Sequence, residues 1–259
     1  MDRIIKLLIK GIKDPYKIIN FIDRRLRITE NAKVSNRGER LVIKDWQAVR
    51  KSKEFVTLAH AQRYRWVAPF VKNLCCLDAG CGSGYGTYYL ADFGAKKVVG
   101  IDKSDRAINY AKKYYKRENL EYKVMSVCKL GFRDNLFDVV LSFDVLEHLK
   151  KMDQEKFLLE IRRVIKPNGI LFIGCPNKKL SEGSNPFHLR ELTKAEFEQI
   201  LQEHFQNVKL LGQDIRINGI RQKENFRNLS SLSSYRNFVI VDNKIEVSFG
   251  LLAICKNSY

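Results

Sequence analysis

The sequence has no CxxC pair and no group of histidines at zinc-ligand spacing, although it contains six cysteines and four histidines. The common zinc-binding motifs are therefore excluded, and we assign no residue as a metal ligand. The cysteines are expected to be reduced thiols of a cytoplasmic protein. They stand at positions 75, 76, 81, 128, 175 and 255.

Long apolar runs are also missing. No stretch approaches the roughly 18 apolar residues that span a bilayer. The first ten residues are interrupted by Asp2, Lys6 and Lys10, which makes them a poor signal peptide. We expect a cytoplasmic location, with peripheral contact at the inner membrane surface as an alternative.

Acidic residues are scarce relative to basic ones. The chain has 47 Lys and Arg against 29 Asp and Glu, a formal net charge of +18, and residues 1–75 hold 18 of the basic residues against 7 acidic ones. This charge favours an anionic partner, whether nucleic acid, acidic lipid or a phosphorylated substrate, although a merely solubilising surface explains it equally well. Residues 1–27 read as two basic amphipathic helices that lie on an anionic membrane or pack on their own domain.

The length and the 45% hydrophobic content fit one domain with appendages. We predict a basic helical N-terminal extension over residues 1–53, polar and irregular from 28, and a domain over 54–259 with an insertion at about 214–245. Between them, apolar runs alternate with helical patterns, which predicts an α/β fold with a parallel, doubly wound sheet. A last strand at Glu246 to Lys256 implies a terminal hairpin.

A glycine-rich segment carries the strongest functional signal. It runs from Asp78 to Gly86, at the end of a predicted strand and the start of a helix. The dinucleotide-binding pattern G-x-G-x-x-G fails because its third glycine is replaced by Tyr85 or Thr87, depending on the register. A phosphate-binding P-loop fails because no Gly-Lys-Ser/Thr follows.

The remaining pattern, D-x-G-x-G-x-G, resembles motif I of the class I S-adenosylmethionine-dependent methyltransferases. The resemblance implies a Rossmann-like, seven-stranded, mostly parallel sheet with helices on both faces and an antiparallel C-terminal strand. It implies S-adenosylmethionine as cofactor, with Asp78 near its methionine amino group. The expected cofactor-binding residues are Asp78, Ala79, Gly80, Cys81, Gly82, Gly84, Tyr85, Asp102, Lys103, Ser126, Val127 and Phe143.

Two further acid positions bear on this cofactor site. Asp102 ends the second strand 22 positions after Gly80, which suits an acid that bonds both ribose hydroxyls. The alternative is a helix cap, a role that Ser104 or Asp105 could also fill. Ser126 stands where related methyltransferases often carry an acid that accepts from the adenine amino group, so its assignment departs from the family pattern.

The segment Phe137 to Leu149 resembles the F-D-x-V…L-E-H-L segment of small-molecule methyltransferases. Helical spacing would place Asp144 and His148 on one face, and an acid-oriented histidine could act as general base. The alternative is a structural histidine at a helix start. Some quinone-biosynthesis O-methyltransferases hold a divalent cation with acid and histidine residues here, so Glu147 and His148 are an alternative metal pair.

A looser resemblance covers roughly residues 38 to 213. The segments Gly38 to Arg40, His60 to Tyr64 and Asn185 to Leu192 resemble bacterial methyltransferases of glycan and lipopolysaccharide biosynthesis. It implies a catalytic role for His188, beside His148 and Asp144, and substrate binding by Arg190 and Glu147. The alternative is that His188 and Arg190 only anchor their loop.

These observations predict transfer of a methyl group to an oxygen of a small molecule, with a sugar or glycan-linked hydroxyl as the favoured acceptor. No N/D-P-P-Y/F/W motif, typical of enzymes that methylate the amino groups of nucleic-acid bases, stands at the end of the predicted strand Phe137 to Phe143. Methylation of base amino groups is therefore disfavoured. Two alternatives stay open. One is an RNA methyltransferase, supported by a pI of about 9.6, and the other is a non-catalytic, cofactor-binding regulator.

Overall fold

The computed structural model describes residues 35–37, 40–42, 55–181, 185–217, 220–221 and 238–258. The helices predicted for residues 1–27 lie outside this range. Strands β1 (Ser35–Arg37) and β2 (Arg40–Val42) pair in antiparallel fashion. The prediction of an irregular stretch over 28–53 was therefore wrong at this hairpin, because strands of three mostly polar residues leave no alternation to detect.

The rest of the described chain alternates strands and helices. The helices are α1 (Phe55–Val67), α2 (Tyr85–Asp92), α3 (Asp105–Tyr114), α4 (Lys151–Val164) and α5 (Lys194–Gln202). The strands are β3 (Cys75–Ala79), β4 (Lys97–Asp102), β5 (Leu120–Val124), β6 (Phe137–Phe143), β7 (Ile165–Pro176), β8 (Asn207–Ile217), β9 (Ile220–Arg221), β10 (Phe238–Val241) and β11 (Gly250–Lys256). Short 3-10 turns occur at Ala68–Phe70, Leu146–His148 and Ile245–Val247.

These strands form one mixed sheet in the order β10, β8, β11, β7, β6, β3, β4, β5, and β9 pairs with β8. Neighbouring strands are parallel along the part of the sheet formed by β7, β6, β3, β4 and β5. They are antiparallel along the part formed by β7, β11, β8 and β10. This confirms the Rossmann-like, mostly parallel sheet with an antiparallel C-terminal strand. The predicted seven strands are joined at the edge by β10.

The C-terminal boundaries differ from the prediction. β8 extends to Ile217, and β10 lies inside the stretch assigned to an insertion at about 214–245. The last strand begins at Gly250 rather than Glu246, because the preceding apolar residues form the 3-10 turn Ile245–Val247. Apolar content alone does not separate a strand from a tight turn that packs on the core.

Helices cover both faces of the sheet, as predicted. One core cluster contains Leu58 of α1, Leu90 of α2 and Ile108 of α3. The other contains Phe157 of α4 and Phe197 of α5, each with no exposed surface. Burial of large apolar side chains on each face stabilises the fold by about 1.5–3 kcal/mol for each such residue.

The strand order reverses between β3 and β6. From β3 the sheet continues through β4 and β5 on one side, and through β6 and β7 on the other. Parallel pairing of Cys76 with Val139 and of Asp78 with Leu141 brings the carboxyl ends of β3 and β6 together. Ligands of open α/β sheets bind outside the strand ends at such a reversal, so the fold itself points to this place.

The loop that leads into α5 is also close to these strand ends. Thr193 and Glu196 form the predicted capping box, with both of its reciprocal hydrogen bonds present. Residues 185–192 thus enter α5 through a fixed helix start. In the described part of the chain, no helix is long and apolar enough to cross a membrane.

Candidate active site

The turn after β3 depends on three glycines with positive φ. The φ angles are 87° at Gly80, 55° at Gly82 and 87° at Gly84, a region that L-residues with a Cβ rarely adopt. A Cβ on Gly80 would lie 2.3 Å from Val145 Cγ2, and one on Gly84 would lie 2.6 Å from Ala111 Cβ. Gly80 and Gly84 therefore serve the packing of the turn.

Gly82 is different because its surroundings are open. A Cβ built there meets no protein atom within 4 Å. A glycine with a strained φ and empty space beside it is typical of a backbone that a ligand approaches closely. Gly82 is thus the position in the turn where the sequence is suited to a ligand rather than to packing.

Asp102 connects the end of β4 to this turn. Its Oδ2 accepts a hydrogen bond from the Gly82 amide at 3.1 Å, and its Oδ1 accepts one from the Ser104 amide at 2.9 Å. The cap of α3 is Ser104, whose hydroxyl accepts from the Ala107 amide at 3.3 Å. The carboxylate of Asp102 therefore lies beside the open space at Gly82, where a ribose-binding acid is expected.

Asp78 lies beneath the turn, with 1% of its surface exposed. Its Oδ2 accepts a hydrogen bond from Thr87 Oγ1 at 2.7 Å, and the Tyr64 hydroxyl lies 3.2 Å from both carboxylate oxygens. Burial raises the pKa of Asp78 to about 7 despite these two hydroxyl donors. The side chain of Asp78 thus links the glycine turn to Tyr64 of α1 and Thr87 of α2, and the sequence did not predict these contacts.

The other expected cofactor residues form two groups. Ala79, Cys81, Tyr85 and Phe143 are buried, and the rings of Tyr85 and Phe143 pack edge-on against Tyr64 at centroid distances of 5.5 and 5.7 Å. Lys103 and Ser126 are exposed and Val127 is half-buried. Ser126 closes a turn, because its hydroxyl accepts from the Cys128 amide at 3.3 Å.

The predicted pairing of Asp144 with His148 was wrong. Asp144 has a φ of 54°, and the residues after it form only the 3-10 turn Leu146–His148. The helical spacing on which the pairing relied is therefore absent. His148 Nδ1 instead lies 3.0 Å from the Phe187 carbonyl oxygen.

Asp144 pairs with two residues of α1. Its Oδ2 lies 2.9 Å from His60 Nε2 and also accepts a hydrogen bond from Arg63. Burial alone would raise the pKa of Asp144, but the neighbouring charge of Arg63, together with His60, holds it well below the usual range. Arg63 also donates from Nε to Gln213 at 2.7 Å, which fixes its side chain.

Glu147 does not present its carboxyl group to a substrate, contrary to the prediction. Only 1% of the residue is exposed, and neither carboxylate oxygen has a hydrogen-bond partner among the described residues. Burial, with the nearby charge of Asp144, raises the pKa of Glu147 well above its usual value. Its backbone oxygen accepts from the amides of Leu189 and Arg190 at 2.7 and 3.0 Å, which anchors the loop over 185–192.

The loop brings His188 against His148, with ring centroids 5.0 Å apart. His188 Nδ1 lies 2.5 Å from Glu191 Oε1, and its Nε2 lies 2.9 Å from Asn185 Nδ2. Arg190 donates to Gln154 of α4. These contacts anchor the loop, and the substrate roles predicted for His188 and Arg190 stay predictions.

One group in the described part of the chain has donor atoms close enough to share a metal ion. Atoms of Glu147, His148 and His188 lie within 4.8 Å of one another. His188 would thus complete the alternative metal pair of Glu147 and His148 that the sequence suggested. Asp144 is already paired with Arg63 and His60. A cation here would compete for His188 with Glu191 at Nδ1 or with Asn185 at Nε2.

Comparisons with known proteins agree with this geometry. Residues 77–173 match the methyltransferase domain family. A probable S-adenosylmethionine-dependent methyltransferase of Mycolicibacterium smegmatis is 37% identical over 131 residues, which are 49% of each chain. A ubiquinone biosynthesis O-methyltransferase of Pelagibacter ubique is 39% identical over 112 residues, 42% of this chain and 45% of that one.

The fold has close counterparts among solved structures. A methyltransferase from Thermotoga maritima, described as a possible histamine N-methyltransferase, superposes with a TM-score of 0.59 at 16% identity. The match covers 78% of this chain and 90% of that one. The chain spans about half the length of the curated relatives it matches.

The sheet order and the glycine turn fit a class I methyltransferase domain, and residues 77–173 are similar to the methyltransferase domain family. The relatives are S-adenosylmethionine-dependent methyltransferases by name, and this similarity and the fold imply S-adenosylmethionine as the cofactor. The residues fit that molecule, because Gly82 leaves space at the turn and Asp102 stands beside it. The resemblance to glycan enzymes is not tested by these similarities.

We predict different consequences for two glycine substitutions, one mainly on stability and the other mainly on binding. Gly84→Ala should lower the free energy of unfolding by about 3 kcal/mol, because the new Cβ combines positive φ with overlap on Ala111. Gly82→Ala should lower it by only about 1 kcal/mol but should weaken S-adenosylmethionine binding at least tenfold. Urea unfolding and calorimetry would measure both, and unchanged affinity in Gly82→Ala would contradict the assignment.

We also predict a pH dependence that Asp78 causes. The folded-state pKa of about 7 exceeds the ordinary value of 3.8, so the carboxyl group favours folding most at low pH and less as pH rises towards 7. Relative to Asp78→Asn, the ligand-free wild type should therefore lose stability between pH 4 and 7. Urea unfolding of both proteins across this range checks the sign, and a constant difference would contradict it.

Proposed function

We propose that the protein transfers the methyl group of S-adenosylmethionine to an oxygen of a small molecule. The observation that carries the proposal is the open glycine turn with Asp102 beside it, adjoining the end of β6 at the strand-order reversal. The cofactor supplies a methyl group on a positively charged sulfur. The chain contributes mainly by holding the acceptor oxygen in line with that methyl group at attack distance.

Oxygen is favoured over nitrogen as the acceptor atom for two reasons. Relatives that match over 112 residues are ubiquinone biosynthesis O-methyltransferases by name. The end of β6 reads Phe143-Asp144-Val145-Leu146 and lacks the proline pair of amino-directed nucleic-acid enzymes. An alcohol must lose its proton at or after transfer, and the His60 imidazole, 2.9 Å from Asp144, can take it.

A sugar or glycan-linked hydroxyl is our favoured acceptor within this class. The loop over 185–192 carries the residues that resemble glycan enzymes, and it packs directly on the turn after β6 through the Glu147 backbone. His188 and Arg190 are the residues we propose to face a hydroxylated substrate. An RNA acceptor is a rival because of the net charge of +18, but we find no base-directed motif.

The decisive experiment has a binding arm and a transfer arm. Calorimetry should detect S-adenosylmethionine and its demethylated product on the wild type, and Asp102→Ala should weaken both at least tenfold because it removes the acid beside Gly82. Labelled methyl transfer should then be assayed on fractionated cell glycans, lipids and RNA. Label in glycan or small-molecule fractions supports the proposal, and label confined to RNA favours the rival.

Failure of the two arms has distinct meanings. No affinity for the donor on well-folded protein would overturn the methyltransferase function entirely. Tight donor binding without transfer to any fraction would favour a regulatory, non-catalytic protein. The matched control is Asp105→Ala, which removes an acid three residues away, in the first turn of α3, that is not placed at the turn.

We also propose that the basic segment over residues 1–27 brings the enzyme to an anionic, lipid-linked substrate. Support comes from the sequence, where lysines alternate with apolar residues at helical spacing. Deletion of residues 1–27 should abolish partitioning to vesicles that contain phosphatidylglycerol, measured by sedimentation at low salt. Equal partitioning of full-length and truncated protein would remove this part of the proposal.

A further inference from the structure

A chain of three side chains links α1, α2 and the end of β6 at the strand-order reversal. The Tyr85 hydroxyl lies 2.9 Å from His60 Nδ1, and His60 Nε2 lies 2.9 Å from Asp144 Oδ2. Tyr85 directly follows the last glycine of the turn, and Asp144 directly follows β6. The three groups therefore span the place where donor and acceptor must meet.

The partners determine which nitrogen of His60 carries the proton. The pKa of Asp144 is held low, so its carboxylate can only accept, and His60 Nε2 must donate. In the neutral ring Nδ1 is then an acceptor, and the Tyr85 hydroxyl donates to it. The hydrogen bonds run in one direction, from the phenol through the imidazole to the carboxylate.

We propose that Tyr85, His60 and Asp144 form a proton relay that receives the proton of the acceptor hydroxyl during methyl transfer. This rests on the proposed oxygen-directed function. Tyr85 is the catalytic residue that touches the acceptor, whereas His60 and Asp144 act through it as positioning residues. The relay replaces the Asp144–His148 pair expected from the sequence.

The step balances in atoms and charge. The acceptor oxygen forms its bond to the methyl carbon, whose bond to sulfur breaks with the electron pair left on sulfur. The acceptor proton passes to Tyr85 Oη as the Tyr85 proton passes to His60 Nδ1. The positive charge that leaves sulfur thus ends on the His60 imidazolium, 2.9 Å from Asp144.

Other groups around the relay support this direction of transfer. Burial, with the charges of Asp144 and Asp78, raises the pKa of Tyr85, so the phenol stays protonated and conducts a proton rather than acting as a base. Besides His60 and Tyr85 of the relay itself, the charged or titratable groups that face Asp144 are Arg63 from α1, Glu147 from the 3-10 turn and Cys175 from β7. Arg63 favours the ionised form of Asp144, and burial favours the neutral form of Glu147 by raising its pKa.

The test compares four proteins with the acceptor fraction that the wild type methylates. His60→Gln and Tyr85→Phe should each lower kcat about 100-fold, with the dissociation constant for S-adenosylmethionine changed less than threefold. The wild-type profile of log kcat should fall below neutral pH, and His60→Gln should lose that limb. His204→Gln is the matched control, since His204 also pairs with a carboxylate, Glu155 at 2.8 Å, but away from these strand ends.

A structural role for His60 would give a different pattern. It would lower stability or donor affinity without removing the acidic limb, and that result would overturn the relay while leaving the methyltransferase function intact. Nitrogen NMR of the ligand-free wild type offers an acceptor-independent check, because the relay requires the Nε2-protonated tautomer of neutral His60. Observation of the Nδ1-protonated tautomer would equally overturn it, and absence of transfer by the wild type would overturn the proposed function beneath it.

Discussion

Parallel pairing of β3 with both β4 and β6 is the constraint on which the rest of the site depends. It aligns three strand ends, so that the glycine turn, Asp102 and Asp144 emerge at one edge of the sheet. No residue of the turn could contact Asp102 without this register, because the two lie about 20 positions apart in the chain. The register of the sheet brings Gly82 near Asp102, and the conformation of the turn then lets the Gly82 amide donate to the Asp102 carboxylate.

Besides Asp102, three acidic side chains lie inside this site, and their pKa values are shifted differently. Asp144 is ionised beside Arg63, whereas the carboxyl group of Glu147 has no hydrogen-bond partner in the described residues and burial raises its pKa, which favours the neutral form. Asp78 is intermediate, with two hydroxyl donors that only partly offset burial. A cleft that receives a cationic sulfonium benefits from nearby negative charge, but full ionisation of all three would leave uncompensated charge in a low-dielectric interior.

The parts of the site that the sequence could predict are those encoded locally. The glycine turn occupies consecutive residues whose conformation depends on glycine itself, and Asp102 follows from the spacing of one strand–helix–strand unit. The parallel, doubly wound sheet likewise follows from alternation of apolar runs with helical patterns. The capping box at Thr193 and Glu196 is a signal four residues long, and it was confirmed.

The predictions about the site were wrong where a contact joins residues that are far apart in the chain, or where a single backbone angle determines the local structure. The pairing of Asp144 with His60 joins residues 84 positions apart, and no periodicity encodes it. The positive φ at Asp144 prevents the helix that the spacing of Asp144 and His148 assumed. The segment His60 to Tyr64 was noted in the sequence because it resembles methyltransferases of glycan biosynthesis. Its charged residues lie in a helix that is otherwise buried against the sheet, and this combination was the available signal of a functional role.

Arg63 makes the half-buried, ionised Asp144 compatible with the proton relay that we propose. If His60 alone neutralised Asp144, the pair would favour an imidazolium before any acceptor arrived, and the ring could not take up another proton. With Arg63 supplying the compensating charge, Asp144 can stay ionised beside a neutral His60. In the relay that we propose, the second cation forms only when a positive charge leaves the sulfur, so the total charge of the site is conserved during transfer. Arg63 Nε donates a hydrogen bond at 2.7 Å to Gln213 of β8, which is fully buried. The position of the Arg63 charge therefore also depends on β8. The antiparallel edge of the sheet therefore contributes to the electrostatics of a site built at its parallel centre.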